Sequence, residues 1–492
     1  MAPFYMLIAI MLPMVAGILI PVLPVKRTVL KVYMELAALL TSALVFGLIC
    51  NRPLEDVTLF QFTRALSISF RLDGVGSVFA AIVAFLWPLA LLYAMEYMKH
   101  ETHQRVFYTF YLVTYGVTLG ICMAQNLVTL YFFYEMLTLV TVPLVIHSLT
   151  REAVHAARTY LYYSLGGAAF AFIGMIFVLS YGTTADFVAG GVFDLEALGE
   201  KKVLLQTIYV LCFCGFSVKA AMFPFSGWLP KAGVAPTPVT ALLHAVAVVK
   251  AGAFATIRIT YFCFGPKLLK GSFAQTIVCT LTIITIVYGC SRALKETHFK
   301  RRLAWSTVSN LSYILFGVTL MSYGGLLGAL LHMVCHACMK ICSFFCAGAV
   351  MHQTEKNYIY ELDGLGKDMP LTFGIFTIAG MALMGVPGLA GFVSKWYLAR
   401  AAVQDGYVLA MLGLGAILIS ALLTALYMMS ISVRAFFAKK QEEGTKRLDP
   451  NWMMLLPLVV FVGVMLVIGL RPQLLISLIE MALTEFGINA FS

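Results

Sequence analysis

Charge is scarce in this sequence: Asp, Glu, Lys and Arg make up 12% of 492 residues, about half the share normal for a soluble domain. That scarcity excludes a water-soluble globule. With 61% hydrophobic residues and a mean hydropathy of +0.91, lipid is the main solvent of the fold. Also lacking are a long linker, an acidic tail and any low-complexity run, so 1–492 reads as one membrane domain. The longest hydrophilic stretches, 51–74, 182–202, 351–371 and 438–450, are too short to house a nucleotide-binding domain. The eleven cysteines form no ligand-spaced group in a loop. Cys212/Cys214 and Cys335/Cys338 lie inside apolar runs and read as small hydrophobes, so no iron–sulfur cluster or other cofactor is expected in this chain. The opening MAPFYMLIAI has neither a basic stretch nor a small-residue cleavage site and predicts a retained helix, not a signal peptide.

What is there is a series of apolar runs of roughly 17 to 25 residues, the length that crosses a hydrocarbon core. They fall near 3–23, 29–50, 75–97, 107–124, 127–148, 157–181, 203–223, 238–262, 273–294, 303–321, 324–349, 372–400, 407–437 and 452–471. Runs this long satisfy their backbone in lipid as helices, which predicts an all-α polytopic protein of about fourteen transmembrane helices. Basic residues divide unevenly between alternate loops. One set, with Lys300, Arg301, Arg302, Lys439, Lys440 and Lys446 among its members, holds nineteen; the other, with Arg52, Arg64 and Arg71, holds nine. The richer set is expected in the cytoplasm, which puts both termini outside. Six basic residues remain inside spans: Lys219, Lys250, Arg258, Arg292, Lys340 and Lys395. The two arginines can snorkel; the four lysines cannot easily.

Two spans carry a lysine beside helix breakers. Lys219 is followed by Pro224, Pro230, Pro236 and Pro238, and Lys395 is preceded by Pro387, Gly388 and Gly391. Interrupted helices at corresponding places in two halves point to a transport site, because a broken ladder exposes backbone dipoles where an ion can use them. Glu135, in LVTLYFFYEMLTLVTVPLVI, is the one mid-span carboxylate identified. An ionised carboxylate there costs roughly 2.5–3.5 kcal/mol on insertion scales, so it needs a cation or water. Lys219 is the natural partner, and changing their separation would change the proton affinity of the lysine. His244 and Lys250 lie six residues apart and need not share a face. A histidine bonded to a carbonyl is the plain alternative for His244. His332, His336 and Lys340 recur every four residues and form a polar stripe on one helix. Two histidines at that spacing could bind zinc, but Lys340 would repel it and no third ligand stands near, so a proton relay fits better, with Lys395 as its terminal acceptor.

At these residues the sequence resembles the antiporter-like membrane subunits of complex I, of membrane-bound hydrogenases and of Mrp-type cation/proton antiporters. The resemblance runs through YEMLTL around Glu135, KAAMFPFSGWLPKA from Lys219, APTPVTALLHAVAVVKAG, KRRLAWSTVSNLSY from Lys300, HACMKICSFFCAG around Lys340 and VPGLAGFVSKW ending at Lys395. It implies fourteen helices with two inverted five-helix repeats, 107–262 and 273–437, flanked by 1–106 and by 452–492, with helices 7 and 12 broken. Glu135, Lys219, Lys250 and Lys395 match the family's principal charged positions; His244, His332, His336 and Lys340 match its connecting ones. The chain ends soon after the fourteenth span, as in the shorter members. Lys231 stands in the WLPKA block where many complex I members carry an acid, which leans toward a hydrogenase-like or Mrp-like assembly. The expected function is proton or Na+/H+ translocation in the cell membrane within a modular complex whose partners are other membrane subunits, with iron–sulfur or hydrogenase subunits among them. The alternatives are an Mrp-type or autonomous antiporter and a structural anchor. Four buried lysines argue against the anchor. No motif supports quinone binding.

Overall fold

The computed structural model describes residues 2–63, 66–439 and 447–487. Arg64, Lys440 and Lys446 of the charge tally lie outside the described residues, as do parts of the 438–450 stretch and of the 452–492 tail. The longer helices are α1 (Ala2–Leu19), α2 (Arg27–Cys50), α3 (Gly74–Tyr97), α4 (Gln104–Cys122), α5 (Leu127–Val145), α6 (Arg151–Tyr181), α7 (Lys201–Ser217), α8 (Thr237–Ala245), α9 (Val248–Arg258), α10 (Phe273–Lys295), α11 (Phe299–Thr319), α12 (Tyr323–Thr354), α13 (Pro370–Met384), α14 (Ala390–Asp405), α15 (Val408–Phe437), α16 (Trp452–Leu470) and α17 (Pro472–Thr484). Among the described residues nine helical segments are long and apolar enough to cross a membrane, and the protein is a mostly helical polytopic membrane protein. The expectation of an all-α chain needs one correction. Val57–Gln61 and Ser67–Phe70 pair as an antiparallel hairpin, where the strand-favouring residues Val57, Thr58, Phe60, Ile68 and Phe70 cluster beyond the end of α2.

Helix starts follow local chemistry. Asp73, Asn126, Thr150 and Ser322 accept hydrogen bonds from the amides of Gly76, Thr129, Ala153 and Gly325, which a helix start otherwise leaves without partners. α12 forms the axis of the bundle and packs against α3, α8, α11, α13, α14 and α16. It and the α8–α9 segment are almost wholly shielded from the surroundings by other helices.

Three interruptions shape the interior. After α7 the chain turns through Lys219 to Pro224, with Ala221 at φ +56. Between α13 and α14, Gly385 at φ +95 caps α13 by donating to the carbonyls of Met381 and Ala382, a left-handed C-cap that glycine adopts without strain. The third was not expected: 238–262 is broken between α8 and α9, where the Ala247 amide reaches back five residues to Leu242 O. Such a π-type insertion needs no Pro or Gly, so the run HAVAVVK gave no sign of it.

Arg258 also departs from expectation. It does not snorkel: its side chain is fully buried and holds Asp73 through two hydrogen bonds, 2.6 and 2.7 Å, tying the start of α3 to the end of α9. Phe187, Phe254 and Phe262 surround the guanidinium at about 5 Å. Removing one member of such a pair leaves an uncompensated buried charge, typically worth about 3–5 kcal/mol. Asp73→Ala is therefore expected to lower the apparent thermal midpoint in detergent sharply, and Asp73→Leu with Arg258→Met to recover most of the loss. A single variant that melts like the wild type would refute this account of the clamp.

Candidate functional site

Lys219 lies in the turn after α7, shielded from the surroundings, and its ammonium is 3.5 Å from Glu135 Oε1 on α5. The contact is electrostatic and not a hydrogen bond, since Oε1 has no hydrogen-bond partner. At an effective dielectric near 20, unit charges at that separation attract by about 5 kcal/mol. The ammonium also donates to the Tyr134 carbonyl and sits 3.3 Å above the centroid of the Tyr134 ring. The position of this turn depends on α9. A Cβ on Gly252 would come within 2.6 Å of Ala220 N and 3.0 Å of Lys219 Cβ, so glycine allows α9 to lie directly against the lysine. Trp228 Nε1 donates to Val218 O at 2.8 Å and pins the turn from its other side.

One turn beyond the α8–α9 interruption, the fully buried Lys250 places its ammonium 2.6 Å from His336 Nδ1 on α12. Nδ1 then accepts, which leaves the proton on Nε2. The His332 ring follows on the same helix face, with its centroid 5.6 Å from that of His336. His332 Nδ1 bonds Ser394 Oγ at 2.9 Å, next in sequence to Lys395. Nε2 of each ring is buried and has no partner. Lys395 binds the carbonyls of Leu383 and Met384 at 2.6 and 3.0 Å, and its ammonium lies 5.3 Å from the Tyr313 ring, which also packs on His332. Those two carbonyls belong to the last turn of α13, where the helix carries partial negative charge and lacks amide partners. The structure thus brings Lys250, His336, His332 and Lys395 into one succession and Glu135 and Lys219 into one pair.

The other two predicted residues stand apart from that succession. Lys340 turns away from His336 to Leu303 O at 3.1 Å and Ser306 Oγ at 2.7 Å on α11. His244 ends α8 with its ring on Phe344 and neither nitrogen hydrogen-bonded. The plain alternative for it, a bond to a carbonyl, is not what the structure has.

Sequence reasoning missed several groups. Lys300 and Arg302, assigned to a cytoplasmic loop, lie in the first turn of α11 and are buried. Lys300 binds Ala235 O at 3.0 Å, and Arg302 binds Tyr427 O and Ser430. The sign available was AWSTVSNLS, a helix whose Ser306, Thr307, Ser309, Asn310 and Ser312 are all buried. Just before it, burial and then Arg301 and Lys300 push the His298 imidazole down to about 4. Glu35 was also passed over as a carboxylate within a span. It lies two turns into α2 with a buried, unpartnered Oε2.

The sequence model described as NADH:quinone oxidoreductase/Mrp antiporter, transmembrane, matches residues 124–439. The chain belongs to this family. The model of the complex I chain 5 N-terminus matches residues 61–108. NADH-quinone oxidoreductase subunit N of Desulforudis audaxviator is 30% identical over 435 residues, covering 85% of each chain. At 22% identity and a TM-score of 0.86 in both cases, the fold is that of chains in an archaeal membrane-bound sulfane sulfur reductase and in the Mrp complex of Dietzia sp.. The first likeness covers 99% of each chain, the second 100% of this chain and 98% of the other. The protein is an antiporter-like membrane subunit.

Contact between α9 and the Lys219 turn can be tested directly. Gly252→Val is expected to lower ion translocation at least tenfold without preventing membrane insertion. Gly166→Val, where a Cβ meets nothing within 4 Å, is expected to be silent. Equal activity of the two variants in proteoliposomes would show that this contact does not matter.

Proposed function

We propose that this chain translocates protons, alone or in exchange for Na+, as one module of a larger cell-membrane complex. Glu135 and Lys219 form the switchable pair, Lys250, His336, His332 and Lys395 the path, and His244 and Lys340 its side branches. The observation that carries the reading is the succession from Lys250 to Lys395, in which each titratable group lies against the next or against a residue beside it. An imidazole that accepts at Nδ1 and holds its proton at Nε2 can pass a proton on by taking one and releasing the other. When Glu135 withdraws, the Lys219 charge loses its nearest opposite charge and a proton is driven toward Lys250; when Glu135 returns, Lys219 reloads. Like charges along the path keep its lysines from all being protonated at once, so loading one favours unloading the next.

In this reading α8–α9 and α13–α14 each count as a single crossing and the short amphipathic α17 does not cross, which gives fourteen helices. Units 107–262 and 273–437 are inverted five-helix repeats, 1–106 and 452–492 flank them, and both termini face outward. The buried lysine beside a break in each unit supports the repeat. Other membrane subunits are the partners. Iron–sulfur or hydrogenase-type subunits supply the redox energy, since the sulfane sulfur reductase is a respiratory complex. The likeness to a chain of the Mrp complex and the exposed Lys231 favour a second reading, a subunit of an Mrp-type Na+/H+ antiporter.

The test is purification from native membranes in mild detergent, followed by proton-uptake measurements on the reconstituted complex. Co-purifying iron–sulfur subunits support the first reading, antiporter subunits alone the second, and a lone active chain overturns both. Glu135→Gln, Lys219→Ala and Lys250→Ala are each expected to cut proton translocation at least tenfold while the complex still assembles. Wild-type rates in Lys250→Ala would remove the path.

A further inference from the structure

A groove of about 890 Å³ opens between α2, α3, α16 and α17, away from the lysine path. Phe46, Ile82, Phe85, Val464, Leu478 and Ile479 make its walls apolar. Its mouth is polar. Arg52, just past the end of α2, and Glu485, just past α17, face each other there at 3.1 Å, both partly exposed. Along α3 the lining runs from Ser77 to Leu86. At 1.5 Å per residue that is a depth of about 14 Å, half of the roughly 30 Å hydrocarbon core.

We infer that the groove is a binding site for one phospholipid with a zwitterionic ethanolamine headgroup. The depth fits a molecule of one leaflet and is too short for a spanning helix of a partner. An apolar slot with a single polar end matches acyl chains that end in a headgroup, and its volume lies within the range of built ligand sites. The mouth presents one cation and one anion side by side. The Arg52 side chain is 18% exposed and the Glu485 side chain 42%, so a lipid phosphate meets the accessible edge of the guanidinium while its ammonium takes the carboxylate, and both ends of the zwitterion are answered. An anionic headgroup would leave Glu485 facing a like charge.

The groove has a floor that gives the lipid a consequence. Val334 and Cys338 of α12 line it. Taking His332 as zero and about 100° per residue, His336 and Lys340 fall near 40° and 80°, and Val334 and Cys338 near 200° and 240°. The chains therefore press on the face of α12 directly opposite its His332–Lys340 stripe. On the proton-path reading above, the lipid buttresses the relay helix.

Native mass spectrometry of the whole complex in mild detergent tests the site without any transport assay, so its failure and that of the transport reading are separable. One retained phosphatidylethanolamine per chain is expected. It should be lost in Ala81→Trp, whose indole fills the groove, and should exchange at least tenfold faster in Arg52→Gln. Because the tryptophan variant can fail to assemble, a phosphatidylethanolamine with a photoreactive tail is also applied to the wild type. Its adducts are expected on peptides spanning 77–86 and 334–338 and should be competed by phosphatidylethanolamine but not by phosphatidylglycerol. Retention of the lipid in Ala81→Trp, equal competition by the two headgroups, adducts spread evenly over the outer helices, or cross-links from Cys50 to another subunit filling the groove would each overturn the proposal.

Discussion

An ammonium in the hydrocarbon layer is costly unless a dipole or an opposite charge answers it, and that constraint organises the interior of this bundle. Among the described residues five buried lysines find such partners, and one of the five pairs with a carboxylate. Lys219 uses Glu135 together with the carbonyl and ring of Tyr134. Lys395 uses carbonyls at the end of α13 that a continuous helix would have consumed, and Lys300 uses Ala235 O in the segment before α8. Lys340 shares a carbonyl within α11 and takes a hydroxyl, and Lys250 takes an imidazole. Of the helix interruptions, the α13–α14 break itself supplies acceptors, to Lys395; the others place Lys219 and Lys250 against groups of neighbouring helices. Two of the three lie beside the lysines they serve, and the third comes just before Lys250.

The same constraint explains what the sequence made legible. Lysines are rare enough in a chain of 12% charge that each one inside an apolar run stands out, and Pro224, Pro387 and Gly388 flag two of the breaks by backbone chemistry alone. The α8–α9 break has no such flag. It is a displaced hydrogen bond in a run of Val and Ala, and only packing around α12 decides that it forms. Lys300 and Arg302 were misplaced because KRR at the head of an apolar run looks like a loop cluster. Whether the first turn of a helix is buried depends on what covers it, here Ala235 from the α7–α8 connection and Tyr427 from α15. Arg258 and Asp73, 185 residues apart, form a contact that no local pattern encodes. The hairpin at 57–70 and the amphipathic α17 lie beyond the apolar runs, where a search for spans does not look.

Glycine does a second kind of work. Close approach of helices in lipid rests on small residues, because hydrocarbon provides no hydrophobic drive between apolar faces. Gly252 against the Lys219 turn and Gly391 against Ala382 O, which a Cβ would approach to 1.8 Å, are the points where backbone meets backbone beside a lysine. A switch that works through the Lys219–Glu135 distance needs this tightness. A contact at 3.5 Å weakens steeply with the first few ångströms of separation, and a loosely packed turn would blur the difference between its two states.

Charge sign then gives the site a direction along the bundle. The only carboxylate in the succession sits at the α5 end, against Lys219, and from Lys250 onward the titratable groups are lysines and histidines. On the proposed path a row of one sign cannot hold every proton it could bind, so a charge arriving at the first lysine would be felt by the next through repulsion. The carboxylate end can stabilise a cation and the far end can only share one among backbone dipoles. α12, which carries both histidines, is where the two regimes meet. That helix has to stay straight and fixed for the histidine rings to keep their spacing; α3, α8, α11, α13, α14 and α16 pack around it, and the apolar groove reaches it at Val334 and Cys338. On the proposed path, a lipid in the groove would add to that packing and couple the polar face of the bundle to the bilayer around it.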